Sequence, residues 1–153
     1  QRRDVDPEMM QAIVRKVTHQ LDMEDAKYRS IYLPLVRDEE PRSMAVFDFA
    51  DSSTITGVRE SSHTADQALY MLNNPFVIQQ SAVMADDVQQ LTSNQEDQIT
   101  EAFNRVYSRN PTSTEHSASM AFLAAWQQKD SDKSALQALC QSLFASAEFR
   151  FVD

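Results

Sequence analysis

Two stretches in the second half of this 153-residue chain decide its fold: Ile99-Thr-Glu-Ala-Phe-Asn-Arg-Val-Tyr107 and Leu136-Gln-Ala-Leu-Cys-Gln-Ser-Leu-Phe144. In each stretch, apolar residues recur about three, four, seven and eight positions after the first, which places them on one face of an α-helix. A third stripe is rich in small residues that allow close helix contact: Ala118, Ala121, Phe122, Ala125 and Trp126. We therefore predict a mostly α protein, a bundle of about five helices.

Short polar signals predict where these helices begin and end. Asp6-Pro7 is typical of an N-cap followed by proline at the first helical position, ahead of an apolar stripe at Met10, Ile13, Val14, Val17 and Leu21. Asn73-Asn74-Pro75 should end one helix and start the next, because proline disfavours α geometry in the residue before it. Three capping-box patterns mark further helix starts, at Thr64 with Gln67, Ser93 with Glu96, and Thr112 with Glu115.

Residues 28–62 follow a different pattern. Ile31, Leu33 and Leu35 alternate with Tyr32, Pro34 and Val36, which is typical of an extended segment. Pro34 and Pro41 argue against a long helix. We predict an extended N-terminal arm or a short strand near residues 28–37. Residues 1–27 are interpreted as an N-terminal helix and a candidate linker to upstream domains, and residues 28–153 as a helical domain, with a single compact domain overall.

Composition excludes several classes of protein. The formal charge of −9 would repel a polyanion at long range, so we expect no nucleic-acid partner. The longest apolar run, Met120 to Trp126, is far below the roughly 20 residues that span a bilayer, so we expect no membrane insertion. Gly57 is the single glycine, which argues against phosphate-binding loops and dinucleotide-binding folds.

The strongest candidate for chemistry is a polar cluster within residues 48–63: Asp48, Asp51, Arg59, Glu60 and His63. Carboxylates and a histidine act as acid and base where their side chains converge, so Asp48, Asp51, Glu60 and His63 are the candidate catalytic residues. In the alternative interpretation, both aspartates cap local turns, Arg59 pairs with one of them, and His63 flanks a helix cap. Spacing in a loop does not establish convergence, so we favour this structural alternative.

The sequence also predicts no metal and no cofactor. The three histidines, His19, His63 and His116, are scattered, whereas a metal site needs three or four converging ligands. Cys140 falls within the second apolar stripe, where we expect a buried, inert thiol rather than a nucleophile.

Several motifs, in this order, resemble the Planctomycete-specific C-terminal family known as domain of unknown function 1553. The motifs are Tyr28-Arg-Ser-Ile-Tyr-Leu-Pro-Leu-Val-Arg37, Val46-Phe-Asp-Phe-Ala-Asp51, Gly57-Val-Arg-Glu60, the segment 64–77, Ala102-Phe103, Arg109-Asn-Pro-Thr-Ser-Thr-Glu115 and the segment 139–153. The resemblance runs from about Tyr28 to the last residue. The family's recurrent positions correspond to Arg29, Arg37, Asp48, Arg59, Gln67, Asn73 and Pro75.

The resemblance implies a context rather than a reaction. Such domains end large exported proteins that usually carry a cytochrome-like module upstream, which implies an extracytoplasmic location. Some members also carry carbohydrate-binding or concanavalin-like modules, which implies a role in polysaccharide use. This chain departs from the family in having Asp66 where proline is usual, and Ala145-Ser-Ala-Glu-Phe149 where two asparagines are usual. The haem motif of the parent proteins is absent here, so haem is not assigned to this chain.

Two functions follow as hypotheses. The first is a non-catalytic helical interaction module that docks onto the upstream domains of its own protein. Tyr and Arg commonly anchor interfaces, so the predicted binding residues are Tyr28, Arg29, Tyr32, Arg37, Phe47 and Arg59. The second is a fragment of a hydrolytic or carbohydrate-handling enzyme site that upstream domains complete. We favour the module.

Overall fold

A computed structural model describes residues 6–23, 42–49, 57, 64–128 and 134–150. The chain forms two compact units, residues 1–67 and 68–153, and the predicted division into residues 1–27 and 28–153 stays a prediction. The described helices are α1 (Pro7–Met23), α2 (Arg42–Val46), α3 (Ala65–Asn73), α4 (Pro75–Leu91), α5 (Gln95–Tyr107), α6 (Ser113–Trp126), α7 (Ala135–Phe144) and α8 (Ala147–Arg150).

The all-α prediction is confirmed, because the described residues form helices and turns and contain no strand. The expected number of about five helices is not confirmed. The described part of the chain has eight helices, of which α2 and α8 are only five and four residues long. The predicted arm near residues 28–37, and the boundary at residues 27 and 28, lie outside the described residues.

In the first unit, α1 begins where the sequence predicts. The Asp6 side chain accepts a hydrogen bond from the Glu8 N–H at 3.1 Å, and the Asp6 carbonyl accepts one from the Met10 N–H at 3.0 Å. This N-cap satisfies donors that have no partner within the helix. The short helix α2 follows in the same unit and lies against α1.

The second unit packs α4, α5, α6 and α7 around one apolar core. Ile99, Val88 and Cys140 are fully buried at its centre. Both stripes that predicted the fold face this core, since α5 contributes Ile99, Ala102 and Phe103, and α7 contributes Leu136, Leu139, Cys140 and Leu143. Burying each large apolar side chain stabilises the fold by about 1.5–3 kcal/mol, so these two helices account for much of the driving force.

The predicted stripe on α6 is confirmed only in part. Phe122 is half-buried against the core, but Ala118, Ala121 and Ala125 are exposed, and the buried residues of this helix are Ser119 and Leu123. No charged residue occurs between Ser117 and Gln128, so α6 is apolar on several sides and its periodicity does not select one face. Burying Leu123 removes more apolar surface from water than burying alanines does.

The predicted helix boundaries had mixed outcomes. The Thr112–Glu115 capping box is confirmed, and so is the junction at which Asn74 caps α4 with Pro75 in its first turn. The Ser93–Glu96 box is wrong, because Asn94 caps α5 and its side chain accepts the Glu96 N–H at 3.0 Å. Asparagine is as good an N-cap as serine and is one residue nearer the helix.

A buried glutamine joins two helices of the second unit. Gln141 on α7 is 5% exposed, and its side-chain amide donates to the Leu72 carbonyl near the end of α3 at 2.7 Å. That carbonyl belongs to the last turn of α3, where carbonyl oxygens find no N–H donor within the helix. The bond therefore caps one helix with a side chain from another.

Among the described residues, no helix is both long and apolar enough to cross a membrane.

Candidate functional site

Two of the predicted site residues, Asp48 and Phe47, lie in the described part of the chain. The others lie outside it, and their roles stay predictions. They are Asp51, Glu60 and His63 among the catalytic candidates, and Tyr28, Arg29, Tyr32, Arg37 and Arg59 among the binding candidates.

Asp48 has a clear structural role at the end of α2. Its backbone is left-handed, with φ at 55°, and the N–H of Phe49 donates to the Met44 carbonyl at 3.2 Å. This is the bonding pattern of a helix C-terminus closed by a left-handed residue, a position that aspartate tolerates better than most side chains do. The Asp48 backbone therefore closes this turn.

The structure also brings Asp48 together with Gln67, another of the positions that recur in the resembled family. Gln67 is 1% exposed, and its side-chain amide donates to the Asp48 carboxylate at 3.4 Å. A buried amide is costly without hydrogen bonds, so this contact helps to position both side chains. Phe47 beside them is half-buried, with its N–H bonded to the Met44 carbonyl at 3.0 Å.

The most concentrated polar geometry lies elsewhere, around Arg109 in the turn between α5 and α6. We name Arg109, Glu115, Glu148, Tyr107 and Phe103 the Arg109 cluster. The Arg109 guanidinium binds Glu115 through Nη1 at 2.9 Å and Nη2 at 2.7 Å, and binds Glu148 through Nε and Nη2, both at 2.7 Å. Two carboxylates are therefore each held bidentately by one guanidinium.

Aromatic rings and the α6 cap hold this guanidinium in place. It lies 5.4 Å from the Tyr107 ring centre and 5.8 Å from that of Phe103, within the range of cation–π attraction. Glu115 also accepts hydrogen bonds from the N–H and the hydroxyl of Thr112, at 2.7 and 2.8 Å. The same carboxylate thus caps α6 and pairs with Arg109.

The pKa shifts in the cluster favour the charged forms of Arg109, Glu115 and Glu148. Hydrogen bonds from Arg109, and then from Thr112, lower the pKa of Glu115 to about 2. Arg109 likewise lowers the pKa of Glu148, and hydrogen bonds to Glu115 and Glu148 raise the pKa of Arg109. Burial raises the pKa of Tyr107, opposed by its hydrogen bond to Ser146. All three charged members are therefore ionised at neutral pH.

In the arrangement that the structure shows, the Arg109 guanidinium has no N–H left for a ligand. Its fifth N–H donates to the Asn110 carbonyl at 3.1 Å, so all five guanidinium donors have a protein partner. An anionic ligand would have to displace a carboxylate to bind there. The cluster joins the end of α5, the start of α6 and α8.

Sequence reasoning identified the Arg109-to-Glu115 stretch as a motif but did not identify this cluster. The capping box indicated where Glu115 points, and six residues of separation allowed contact with Arg109. Glu148 is 39 residues from Arg109 in the sequence, and no local signal predicts that pairing. Only the packing of α7 and α8 against α5 brings it there.

The prediction that Cys140 is buried is confirmed. It is 0% exposed, and burial raises the pKa of its thiol to about 12. A thiolate is the reactive form of cysteine, so this side chain is inert at neutral pH. Among the described residues, no group of three or more His, Cys, Asp or Glu is arranged to hold a metal ion.

The described residues form an all-α protein in which Asp48 and Arg109 bind other side chains of the same chain. A family model described as PSD1, protein of unknown function (DUF1553), matches residues 1–123. The chain belongs to this family, which confirms the resemblance found in the sequence. The matched range begins before Tyr28 and ends within α6, so it includes α1 and leaves out α7 and α8. The comparisons gave no match among curated proteins and none among solved structures.

Proposed function

We propose that the chain is a non-catalytic helical interaction module that docks onto upstream domains of its own parent protein. The observation that carries this proposal is the apolar face of α1. Met9, Met10, Ile13 and Val17 are between 45% and 60% exposed, although their spacing is that of a buried helix face. Large apolar side chains grouped on one face of a helix are typical of a contact site.

The charge pattern of α1 supports a docking role. Residues 9–14 carry no charge, whereas Glu8, Arg15 and Lys16 flank this apolar segment. A partner groove could cover the apolar face of this segment without removing a charge from water, and the flanking charges would stay at the rim. An apolar helix face that lies in a groove is a common mode of recognition between proteins.

The polar residues favour a module over an enzyme. Asp48 closes α2 and accepts a hydrogen bond from Gln67, and every donor of Arg109 binds within the chain. The alternative function, a hydrolytic or carbohydrate-handling site made by Asp48, Asp51, Glu60 and His63 with upstream domains, remains a hypothesis. Its test is whether Asp51→Asn or His63→Ala changes the turnover of polysaccharide by the parent protein.

The cellular context of the module rests on the resemblance alone. We propose an extracytoplasmic location, in a periplasm-like compartment or at the cell surface, within a multidomain protein of Planctomycetes that takes part in polysaccharide use. Cell fractionation with an antibody against the chain tests the location. The predicted binding residues Tyr28, Arg29, Tyr32, Arg37, Phe47 and Arg59 would extend the docking surface beyond α1.

The decisive experiment measures binding of this chain to the upstream region of its parent protein, produced separately, by isothermal titration calorimetry. The double variant Ile13→Asp/Val17→Asp should lose at least about tenfold in affinity, because each change places a carboxylate in an apolar contact. Circular dichroism melting should show an unchanged transition for the second unit, since α1 belongs to the first.

The matched control is Gln11→Asp, which adds a charge to an exposed polar position of the same helix. Gln11 is two residues from Ile13, so it lies on the opposite side of the helix from the apolar face. It should bind like the wild type. A wild-type chain that does not bind the upstream region, or an aspartate pair that binds normally, would refute the role of α1. Tyr32→Ala/Arg37→Ala tests residues 28–37 separately: reduced affinity with unchanged melting supports an interface, and reduced melting with unchanged affinity refutes it.

A further inference from the structure

The attachment of α8 differs from that of every long helix in the second unit. None of its four residues is buried, and Phe149 is 37% exposed. Its neighbour α7, in contrast, buries six residues. The short helix therefore buries little apolar surface, and its position depends on polar contacts and on the contact of one aromatic ring.

The described contacts that connect α8 and the turn before it to the end of α5 and to α7 include an ion pair, a hydroxyl hydrogen bond and a ring contact. Glu148 is paired bidentately with Arg109, the Tyr107 hydroxyl lies 2.8 Å from the Ser146 hydroxyl, and the Phe149 ring packs 5.1 Å from the Phe144 ring. The ion pair joins side chains that are 35% and 46% exposed, so solvent and salt reach it.

Arg109 does not depend on α8 for its own position. With Glu148 withdrawn, it would keep both bonds to Glu115, its bond to the Asn110 carbonyl and its contacts with the Tyr107 and Phe103 rings. The start of α6 would remain capped by Glu115 and Thr112. The contacts of α8 are thus separable from those of the core.

We propose that α8 is a detachable strap that opens while the core of α4 to α7 stays folded, and that the Arg109–Glu148 pair is its latch. Opening uncovers the Tyr107 hydroxyl and the Phe144 ring and frees the Nε–Nη2 edge of Arg109. The open form therefore presents a guanidinium edge beside aromatic surface, which suits a carboxylate next to an apolar group. This device is independent of the proposed docking of α1.

Limited proteolysis of the full chain tests the strap. Chymotrypsin cuts after phenylalanine only when the surrounding backbone opens, so the rate of cutting after Phe149 in α8 reports the open population. Intact-mass spectrometry identifies this cut and separates it from a cut after Phe144, which would need α7 of the core to open. Glu148→Gln should raise the rate of cutting after Phe149 about two- to fivefold, the range expected from losing an exposed ion pair, and should leave the melting temperature unchanged.

The matched control is Glu101→Gln, which removes the carboxylate bound to Arg105 at 2.8 Å on α5. It should change neither the cleavage rate nor the melting temperature.

Salt provides a second test. Raising sodium chloride from about 0.05 M to about 1 M should speed cleavage of the wild type, normalised to an unstructured peptide, and should leave Glu148→Gln unaffected. Equal cleavage of wild type and Glu148→Gln would overturn the latch. A fall in melting temperature that parallels the rise in cleavage would overturn the strap, because α8 would then unfold only with the core.

Discussion

Helices α1 and α5 carry the same kind of sequence in opposite surroundings. Each starts with a short polar N-cap, Asp6 or Asn94, and each repeats apolar residues on one face. In α5 that face is sealed in the core, with Ile99 at 0% exposure, whereas Ile13 of α1 is 47% exposed. Amphipathic spacing thus indicates that a helix needs a partner, but it does not identify the partner as the chain's own core.

The largest effect that would sharpen this comparison comes from truncating one isoleucine in each helix. Ile99→Ala should destabilise the second unit by about 2–5 kcal/mol, because it removes a buried side chain and leaves a cavity. Ile13→Ala, at an exposed position, should cost less than about 1 kcal/mol. Urea unfolding followed by circular dichroism measures both changes. Equal losses would mean that the apolar face of α1 is as buried in solution as that of α5.

A second test concerns Cys140, which packs in the core with Ile99. Cys140→Ser should cost about 1–3 kcal/mol, since it places a hydroxyl in an apolar region. In the wild type, the thiol should react with a disulfide reagent far more slowly than in urea, because it is buried and its pKa is about 12. Reaction at the unfolded rate would show that the core opens readily.

The two N-caps allow a third comparison. Asn94→Ala should lower the stability of the second unit by about 1 kcal/mol, because α5 must keep its first turn to stay in the core. Asp6→Ala should leave that transition unchanged and reduce only the helical signal of α1. Ser93→Ala is the control beside Asn94 and should have almost no effect. A larger loss of stability from Ser93→Ala than from Asn94→Ala would show that Ser93 caps α5 in solution.

The smallest expected effect is a pH dependence at the end of α5. The pKa of Glu115 is lowered from 4.5 to about 2 in the folded chain, so its contribution is present above pH 4.5 and is lost as pH falls towards 2. Because Glu115 is about one-third exposed, screening limits this contribution to about 1 kcal/mol or less. Glu115→Gln should flatten this part of the stability profile, measured by urea unfolding at several pH values. An unchanged profile would show that Arg109 and Glu115 are not paired in solution.

Local sequence is enough to predict the helical class, the two stripes that form the core, the burial of Cys140, and the helix starts at Asp6, Asn74 and Thr112. These features depend on interactions between residues close in the chain, where periodicity and capping chemistry are readable. The buried face of α6 depends on helix packing, since that helix has apolar residues on several sides. Helix packing also brings Asp48 to Gln67 and Glu148 to Arg109, 39 residues away. Such contacts arise from how whole helices pack, and the local pattern around either partner carries no record of the other.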